Sequence, residues 1–263
     1  MGNDLKPLGW LHYCLNVADI ERSCDFYEKL GFLQVDGERS QGWAIMQNAG
    51  TELALYCGHG VEGETTLNFR GANIDELAAK VRELGIAFHT EPKTNGQGSG
   101  SFMLEDPAGN RLFMDTAPDE LERFLAGNRL AVGESDGSLA EGQPLIGRLS
   151  VCIFVANLAD CVAWYKQLGL PATLDMQQYG FVVLSDGWCK LALMSTDHQG
   201  SWPKQIMNFR GGDIEAIAAR LKAAGLELDY DAKLESDGSW GTELKDPDGY
   251  VIYFNTAPDE RMY

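Results

Sequence analysis

The sequence predicts an α+β fold built from four βαβββ modules, and two observations support it. The chain is duplicated. The segment 106–120 (DPAGNRLFMDTAPDE) matches 246–260 (DPDGYVIYFNTAPDE), and 12–32 (HYCLNVADIERSCDFYEKLGF) matches 150–170 (SVCIFVANLADCVAWYKQLGL). Each copy also divides again into a strand, an amphipathic helix and three short strands. Two copies of two modules give the four.

The first module begins with a strand, because apolar and polar residues alternate over Leu11–Val17. Asp19 is a typical helix N-cap, and the pattern that follows is helical to about Leu30, with Gly31 at its end. Three strand-like segments come next: FLQVD, GWAIMQN and ELALYC. This order predicts one βαβββ module.

The second module restarts with the strand LNFR at Leu67. Asn73 and Glu76 have the spacing of a capping box, and Gly85 ends the predicted helix. Strands follow at IAFHT, SFMLE and NRLFMD, and APDELERFLAGN predicts a short closing helix. The motif NFRG therefore marks the start of the second module of each copy.

The domain boundaries follow from the repeat. We predict an N-terminal domain at 1–126 and a C-terminal domain at 148–263. The segment between them, 127–147, is rich in Gly, Ser and acidic residues and has weak periodicity, which is typical of a linker.

Composition excludes several classes of function. The chain has 263 residues, 44% hydrophobic and 23% charged, with a net charge of −18. This charge disfavours nucleic-acid binding. No apolar run approaches the roughly 20 residues of a membrane span, and no signal peptide is evident. The six cysteines form no C-x-x-C pair, which favours a reduced, cytoplasmic protein.

The duplicated segments resemble the vicinal oxygen chelate superfamily, which includes glyoxalase I, extradiol dioxygenases and bleomycin-resistance proteins. The resemblance rests on the two pairs of matched segments above, with their DP-x-G turns, and covers nearly the whole chain outside the linker. It implies two glyoxalase-like domains, each a curved mixed sheet around a cleft. Because one fold hosts many chemistries, it does not by itself give the activity.

In the metal-dependent relatives, a first-strand His, a fifth-strand His and a last-strand Glu hold a divalent ion. The resemblance places His12, Thr66 and Phe113 at these positions, with Ala54 or, after a shift of one residue, Glu52 as a fourth. The C-terminal domain offers Ser150, Ile206, Tyr253 and Ala192. Three protein ligands are the usual minimum for a catalytic metal, so we predict no cofactor. The alternative is Zn, Fe, Mn or Ni at a non-standard site with His12 and Glu52.

The polar residues of NFRG are candidate ligand contacts. Strand alternation directs Leu67 and Phe69 to the helices and the intervening polar residues to the cleft. Forked arginine donors suit an anionic or carbonyl-bearing ligand. The alternative is structural: Arg70 could pair with Asp115 or Glu52, and Arg210 could cap backbone. The four candidates are Asn68, Arg70, Asn208 and Arg210.

Aromatic residues on or beside the strands suggest a cleft for a planar or hydrophobic molecule, although strand aromatics also form ordinary cores. The same duality holds for His12, which could act as a base, contact a ligand, or be a buried structural imidazole. The candidates for ligand contact are His12, Trp43, Tyr56, Phe113, Trp240 and Tyr253. Tyr179 and Trp188 also fall on or beside predicted strands.

These features predict a protein that binds a small organic, hydrophobic or aromatic ligand without a complete metal site. An alternative is a metal-dependent lyase, isomerase or extradiol-type dioxygenase around His12. A third is a scaffold with vestigial clefts. We expect a monomer, in which the domains form a pseudo-dimer, or a homodimer.

Overall fold

A computed structural model describes residues 8–60, 62–126, 139–186 and 189–260 of the chain. Within these ranges the chain forms sixteen β-strands and five α-helices. None of those five helices has the length and apolar character that a membrane crossing requires.

The elements follow the predicted order. The first half contains β1 (Trp10–Asn16), α1 (Ile20–Leu30), β2 (Leu33–Glu38), β3 (Trp43–Asn48), β4 (Thr51–Tyr56), β5 (Thr65–Arg70), α2 (Ile74–Glu83), β6 (Phe88–Thr94), β7 (Gly100–Glu105), β8 (Arg111–Thr116) and α3 (Pro118–Leu125). The second half contains β9 (Arg148–Val155), α4 (Leu158–Leu168), β10 (Ala172–Met176), β11 (Phe181–Ser185), β12 (Lys190–Ser195), β13 (Gln205–Arg210), α5 (Ile214–Ala223), β14 (Tyr230–Leu234), β15 (Trp240–Lys245) and β16 (Val251–Thr256).

Each half forms one mixed sheet of eight strands. The strand orders are β2-β3-β4-β1-β5-β8-β7-β6 and β10-β11-β12-β9-β13-β16-β15-β14. The pairs β5–β8 and β13–β16 are parallel, whereas β7–β8 and β15–β16 are antiparallel. The predicted α+β class with four βαβββ modules is confirmed.

Local sequence signals account for the helix ends. The Asp19 carboxylate accepts a hydrogen bond from the backbone N–H of Arg22 at 3.1 Å, which caps α1. Gly31 ends that helix with φ of 110°, a conformation that favours glycine. At α2, the Asn73 Oδ1 accepts from the Glu76 N–H at 3.2 Å, and its Nδ2 donates to the Glu76 side chain at 3.1 Å. The caps at Asp19 and Gly31 are as predicted, whereas the box at Asn73 closes through the Asn73 side chain rather than through its backbone N–H.

The described residues pack as two compact units, each of which combines elements of both halves. The first unit takes α2, α3 and β5 to β8 from the first half and α4 and β10 to β12 from the second. The second unit takes α1 and β2 to β4 together with α5 and β13 to β16. The domain boundaries given above remain a prediction.

Within each unit a tyrosine from one half binds the DP-x-G turn of the other half. In the second unit, the Tyr27 hydroxyl donates to Asp246 Oδ2 at 2.9 Å. In the first unit, the Tyr165 hydroxyl donates to Asp106 Oδ2 at 3.0 Å. Burial raises the pKa of Asp246 to about 6 and raises the pKa of Tyr165 well above its ordinary value. The turns thus have a packing role beyond reversing the chain.

The C-terminal end of the predicted linker is anchored in the second unit, whereas 127–138 lies outside the described residues. Gln143 donates from Nε2 to the backbone oxygens of Gly31 at 3.0 Å and of Gln47 at 2.9 Å. The Asn48 side chain donates to the Pro144 oxygen at 2.8 Å. These contacts fix 139–147 against the first module.

Candidate functional site

A row of polar side chains crosses five strands of the C-terminal sheet. Strand pairing places Ser150 of β9 beside Asn208 of β13, and Asn208 beside Tyr253 of β16. Tyr253 pairs in turn with Glu243 of β15, and Glu243 with Tyr230 of β14. Residues that pair across strands point to the same face of a sheet. We call these five residues the C-terminal row.

The N-terminal sheet carries a less polar counterpart. Asn68 of β5 pairs with Phe113 of β8, Phe113 with Met103 of β7, and Met103 with Thr90 of β6. His12, the repeat counterpart of Ser150, lies on the adjacent strand β1 and is buried. We call these five residues the N-terminal row. Phe113 and Met103 replace Tyr253 and Glu243, so the hydrogen-bonding groups at the centre of the C-terminal row are lost.

Tyr253 is at the centre of a polar and aromatic cluster. Its hydroxyl accepts a hydrogen bond from Asn255 Nδ2 at 3.2 Å and shares another with the hydroxyl of Tyr230. Its ring centroid lies 5.3 Å from that of Trp202, which comes from the loop before β13. The Trp202 indole N–H donates to Glu243 Oε2 at 2.7 Å. These contacts bring three aromatic rings and a carboxylate together on one face.

A glycine allows the two phenols to converge. A Cβ placed on Gly241 would lie 2.9 Å from the Tyr253 hydroxyl and 3.2 Å from the Tyr230 hydroxyl. The equivalent residue of the first half is Ser101. Gly241 therefore provides the space over which the hydroxyls of the cluster meet.

Asn208 presents a buried acceptor to the same face. The residue is 7% exposed, and its Oδ1 accepts no hydrogen bond. An unsatisfied buried polar atom of this kind costs roughly 1–3 kcal/mol. Asn68, its counterpart, instead uses its amide: Nδ2 donates to the Phe113 carbonyl at 3.0 Å and to Asp115 Oδ1 at 2.7 Å. A ligand that donates a hydrogen bond to Asn208 would remove this cost.

Burial sets the protonation of the cluster. It raises the pKa of Glu243, and the hydrogen bond from Trp202 opposes this shift. It also raises the pKa of Tyr253 and of Tyr230, so both phenols stay protonated near neutral pH. The cluster thus offers one carboxyl group and two neutral hydroxyls.

The arginines of the NFRG motifs are engaged in ion pairs. Arg70 donates from Nε and Nη2 to Glu120 at 2.9 and 2.6 Å, and its Nη1 lies 3.1 Å from Asp115. Arg210 makes the same pair with Glu260 at 3.0 and 2.5 Å. The predicted structural partner Asp115 is therefore found for Arg70. The glutamates of the TAPDE repeats were missed, although both repeats place them fifty residues after the arginine.

Other candidates lie on β3 and β4 of the first module. Trp43 pairs with Tyr56 across these strands, and Tyr56 contacts the His59 ring edge-on at 5.8 Å. On the same face, the Gln47 amide donates to Glu52 Oε1 at 2.9 Å, and Glu52 is buried. Glu52, which was the alternative predicted partner of Arg70, thus accepts a hydrogen bond from Gln47 on the neighbouring strand.

Trp240 does not join the cluster around Tyr253. Alternation along β15 places it with Thr242 and Leu244, on the face opposite to Glu243. Leu244 is fully buried, which identifies that face as the core side of the strand. Tyr179 is exposed at the surface, and Trp188 lies outside the described residues.

The residues at the positions that the resemblance assigns to metal ligands lack the carboxylate expected there. Phe113 and Tyr253 stand where the metal enzymes have a glutamate, and neither supplies a carboxylate. Across the ranges that the structure describes, no group of three or more His, Cys, Asp or Glu side chains is arranged to hold a metal. We therefore derive no chemical step through a metal.

Comparisons with known proteins agree with the fold. The profile of the Glyoxalase/Bleomycin resistance protein/Dioxygenase superfamily matches residues 9–113 and 147–254. Many solved structures are similar, at identities that establish the fold alone. The Mn(II)-bound glyoxalase from Novosphingobium aromaticivorans is 17% identical, with a TM-score of 0.61 over 96% of this chain and 82% of its own.

Two dioxygenases are similar to the same degree. A catechol 2,3-dioxygenase is 17% identical, with a TM-score of 0.60 over 97% of this chain and 90% of its own. The homoprotocatechuate 2,3-dioxygenase from Arthrobacter globiformis is 18% identical, with a TM-score of 0.60 over 95% of this chain and 79% of its own. A comparison with curated proteins found no match.

Proposed function

Because the chain belongs to the Glyoxalase/Bleomycin resistance protein/Dioxygenase superfamily, we propose that it binds a small organic molecule, without a metal ion, on the face that carries the C-terminal row. The observation that carries this proposal is the buried Asn208 Oδ1, which lacks a hydrogen-bond partner beside the aromatic ring of Tyr253. Binding sites typically combine apolar and aromatic walls with a few fixed polar groups.

Each member of the cluster has a defined role in this proposal. The rings of Tyr253 and Trp202 pack against the ligand, and Asn208 accepts a hydrogen bond from it. Glu243 and Tyr230 supply polar groups next to the ring of Tyr253. Arg210 positions Tyr253 indirectly. Its Nη1 donates a hydrogen bond to Asn255 Oδ1 at 2.7 Å, and Asn255 in turn donates one to the Tyr253 hydroxyl. The arginine thereby orients the cluster rather than contacting the ligand.

A thermal-shift screen with aromatic and heterocyclic compounds tests the proposal, with any hit quantified by calorimetry. We expect Tyr253→Ala and Asn208→Leu to weaken binding at least tenfold, because each removes a ring or an acceptor. Phe113→Ala, the matched change in the N-terminal sheet, should leave the affinity unchanged. If Phe113→Ala is the only variant that weakens binding, the ligand lies on the other sheet and the assignment is wrong.

Metal analysis separates this proposal from the enzymatic alternative, a metal-dependent lyase, isomerase or dioxygenase around His12. Protein purified without chelators should contain Zn, Fe, Mn and Ni far below one equivalent, in both the wild type and His12→Ala. A stoichiometric metal that is lost in His12→Ala would overturn metal-free binding in favour of that alternative.

A further inference from the structure

Glu243 is a buried carboxyl group on which the charges of Lys245 and Lys233 act without a direct salt bridge. It is 9% exposed, and one of its oxygens accepts the indole N–H of Trp202. No salt bridge to Glu243 occurs among the described residues, because the lysines of the neighbouring strands bind other acids. These pairs are Lys233 with Glu235 at 3.2 Å and Lys245 with Asp229 at 3.1 Å.

The surroundings of this carboxylate favour a positive charge. The rings of Trp202 and Tyr253 meet at 5.3 Å, and their faces attract cations through the aromatic quadrupole. Tyr230 already shows the interaction, since the Lys233 ammonium lies 4.3 Å from its ring centroid. The net charge of −18 also raises the local concentration of cationic molecules.

A second acceptor lies on the other side of Tyr253. Asn208 and Glu243 pair with Tyr253 on strands β13 and β15, one on each side. Two strand spacings separate their main chains by about 10 Å. Asn208 is more than nine-tenths buried, and its Oδ1 has no partner. The face therefore offers two acceptors with an aromatic ring between them.

We propose that the ligand of this face is an aromatic organic cation, whose protonated amine binds Glu243 at the edge of the packed Trp202 and Tyr253 rings. The inference rests on the proposed function and specifies its ligand class. The ring of the ligand packs on Tyr253, and a second hydrogen-bond donor, where the ligand has one, reaches Asn208 Oδ1. An anionic compound of the same size would place its charge against Glu243 and be excluded.

Calorimetry with three probes of similar size tests the charge preference: 2-phenylethylammonium, 2-phenylethanol and 3-phenylpropanoate. We expect the ammonium to bind about tenfold more tightly than the alcohol, since a hydrogen bond between charged groups is stronger than one between neutral groups. The carboxylate should show no binding. Glu243→Gln should remove the preference for the ammonium, with Glu243→Met, which copies Met103, as a second variant.

Asp231→Asn is the matched control, because it removes one negative charge from β14 at an exposed site paired with Lys222. It should retain the preference. Three results would each overturn the inference. The wild type could bind the ammonium and the alcohol equally, both Glu243 variants could keep the preference for the ammonium, or none of the three probes could bind. The proposed function would fail separately, if Tyr253→Ala and Asn208→Leu left the affinity of every hit of the compound screen intact.

Discussion

Arg210 and Glu260 form a bidentate ion pair that ties the end of β13 to the turn after β16. In the first half, Arg70 pairs with Glu120 at the start of α3, where both of its donors bind Oε1. In both cases the glutamate also accepts a backbone N–H at its own turn, from Ala257 at 3.2 Å and from Ala117 at 2.7 Å. The arginine of each NFRG motif and the glutamate of the following TAPDE motif therefore form one structural ion pair.

We predict that Arg70→Leu destabilises the protein by about 1–3 kcal/mol, because it leaves Glu120 and Asp115 partly buried without their cation. Burial already raises the pKa of Asp115, and the charge of Arg70 opposes that shift. Chemical denaturation at neutral pH measures the change, with Asp231→Asn as a control for an exposed pair. If Arg70→Leu lowers the free energy of unfolding no more than the control does, the ion pair is not structural and Arg70 returns as a candidate ligand contact.

The buried carboxyl of Asp246 should give the protein a specific pH dependence. Its folded-state pKa is raised to about 6 from 3.8, so its contribution to stability is complete below pH 3.8 and is lost as the pH rises through 6. Relative to Asp246→Asn, the wild type should lose about 1–2 kcal/mol of unfolding free energy between about pH 5 and 7.5.

Denaturant titrations of the wild type and Asp246→Asn across that range provide the measurement. Parallel pH profiles of the two proteins would contradict the raised pKa. Tyr27→Phe gives a further check, because loss of the hydrogen bond that lowers the pKa of Asp246 should move the transition to higher pH.

The six cysteines, all of which lie in described parts of the chain, should differ sharply in reactivity. Cys57 is partly exposed and the other five are buried. Burial raises the pKa of Cys14 to about 12 and of Cys24 to about 11, which suppresses their thiolates. Iodoacetamide at pH 8 should modify one thiol rapidly, as measured by intact mass. Cys57→Ser should abolish this fast phase, and a fast phase that persists would contradict the burial.

Gly241→Ala should block the ligand face with little loss of stability. Its φ lies outside the left-handed region, so alanine is not strained there, but the new Cβ displaces the hydroxyls of Tyr253 and Tyr230. We expect ligand affinity to fall about tenfold and the free energy of unfolding to change by less than about 1 kcal/mol. Ser101→Ala at the matched position of the other sheet is the control, and equal effects of both would place the ligand elsewhere.

The sequence predicts the elements well because their signals are local. The N-cap at Asp19, the capping box at Asn73 and the left-handed Gly31 each act within one helical turn. The repeat then extends each assignment to the second half. The helix after Ala117 was also predicted, with the proline at its first position.

The site could be predicted only in part, since its members meet through strand register. Of the residues in the proposed site, the sequence singles out Tyr253 and Asn208 from their positions in the repeat, but it does not single out Glu243, Tyr230 or Trp202. Their proximity depends on which residues face each other across β14, β15 and β16 and on the loop before β13. Trp240 is the opposite case. Its aromatic side chain suggested a position in the cleft, but alternation along β15 places it on the core face.

The tyrosine-to-turn contacts bear on how the two halves can be separated. Since Tyr27 and Tyr165 each bind an aspartate of the opposite half, a protease that cuts within 127–138 would leave fragments that jointly complete both units. We expect nicked protein to elute as one species in gel filtration and separately expressed halves to reconstitute it on mixing. Descendants of this gene could then lose the covalent link without losing the fold, provided that both halves are still produced together.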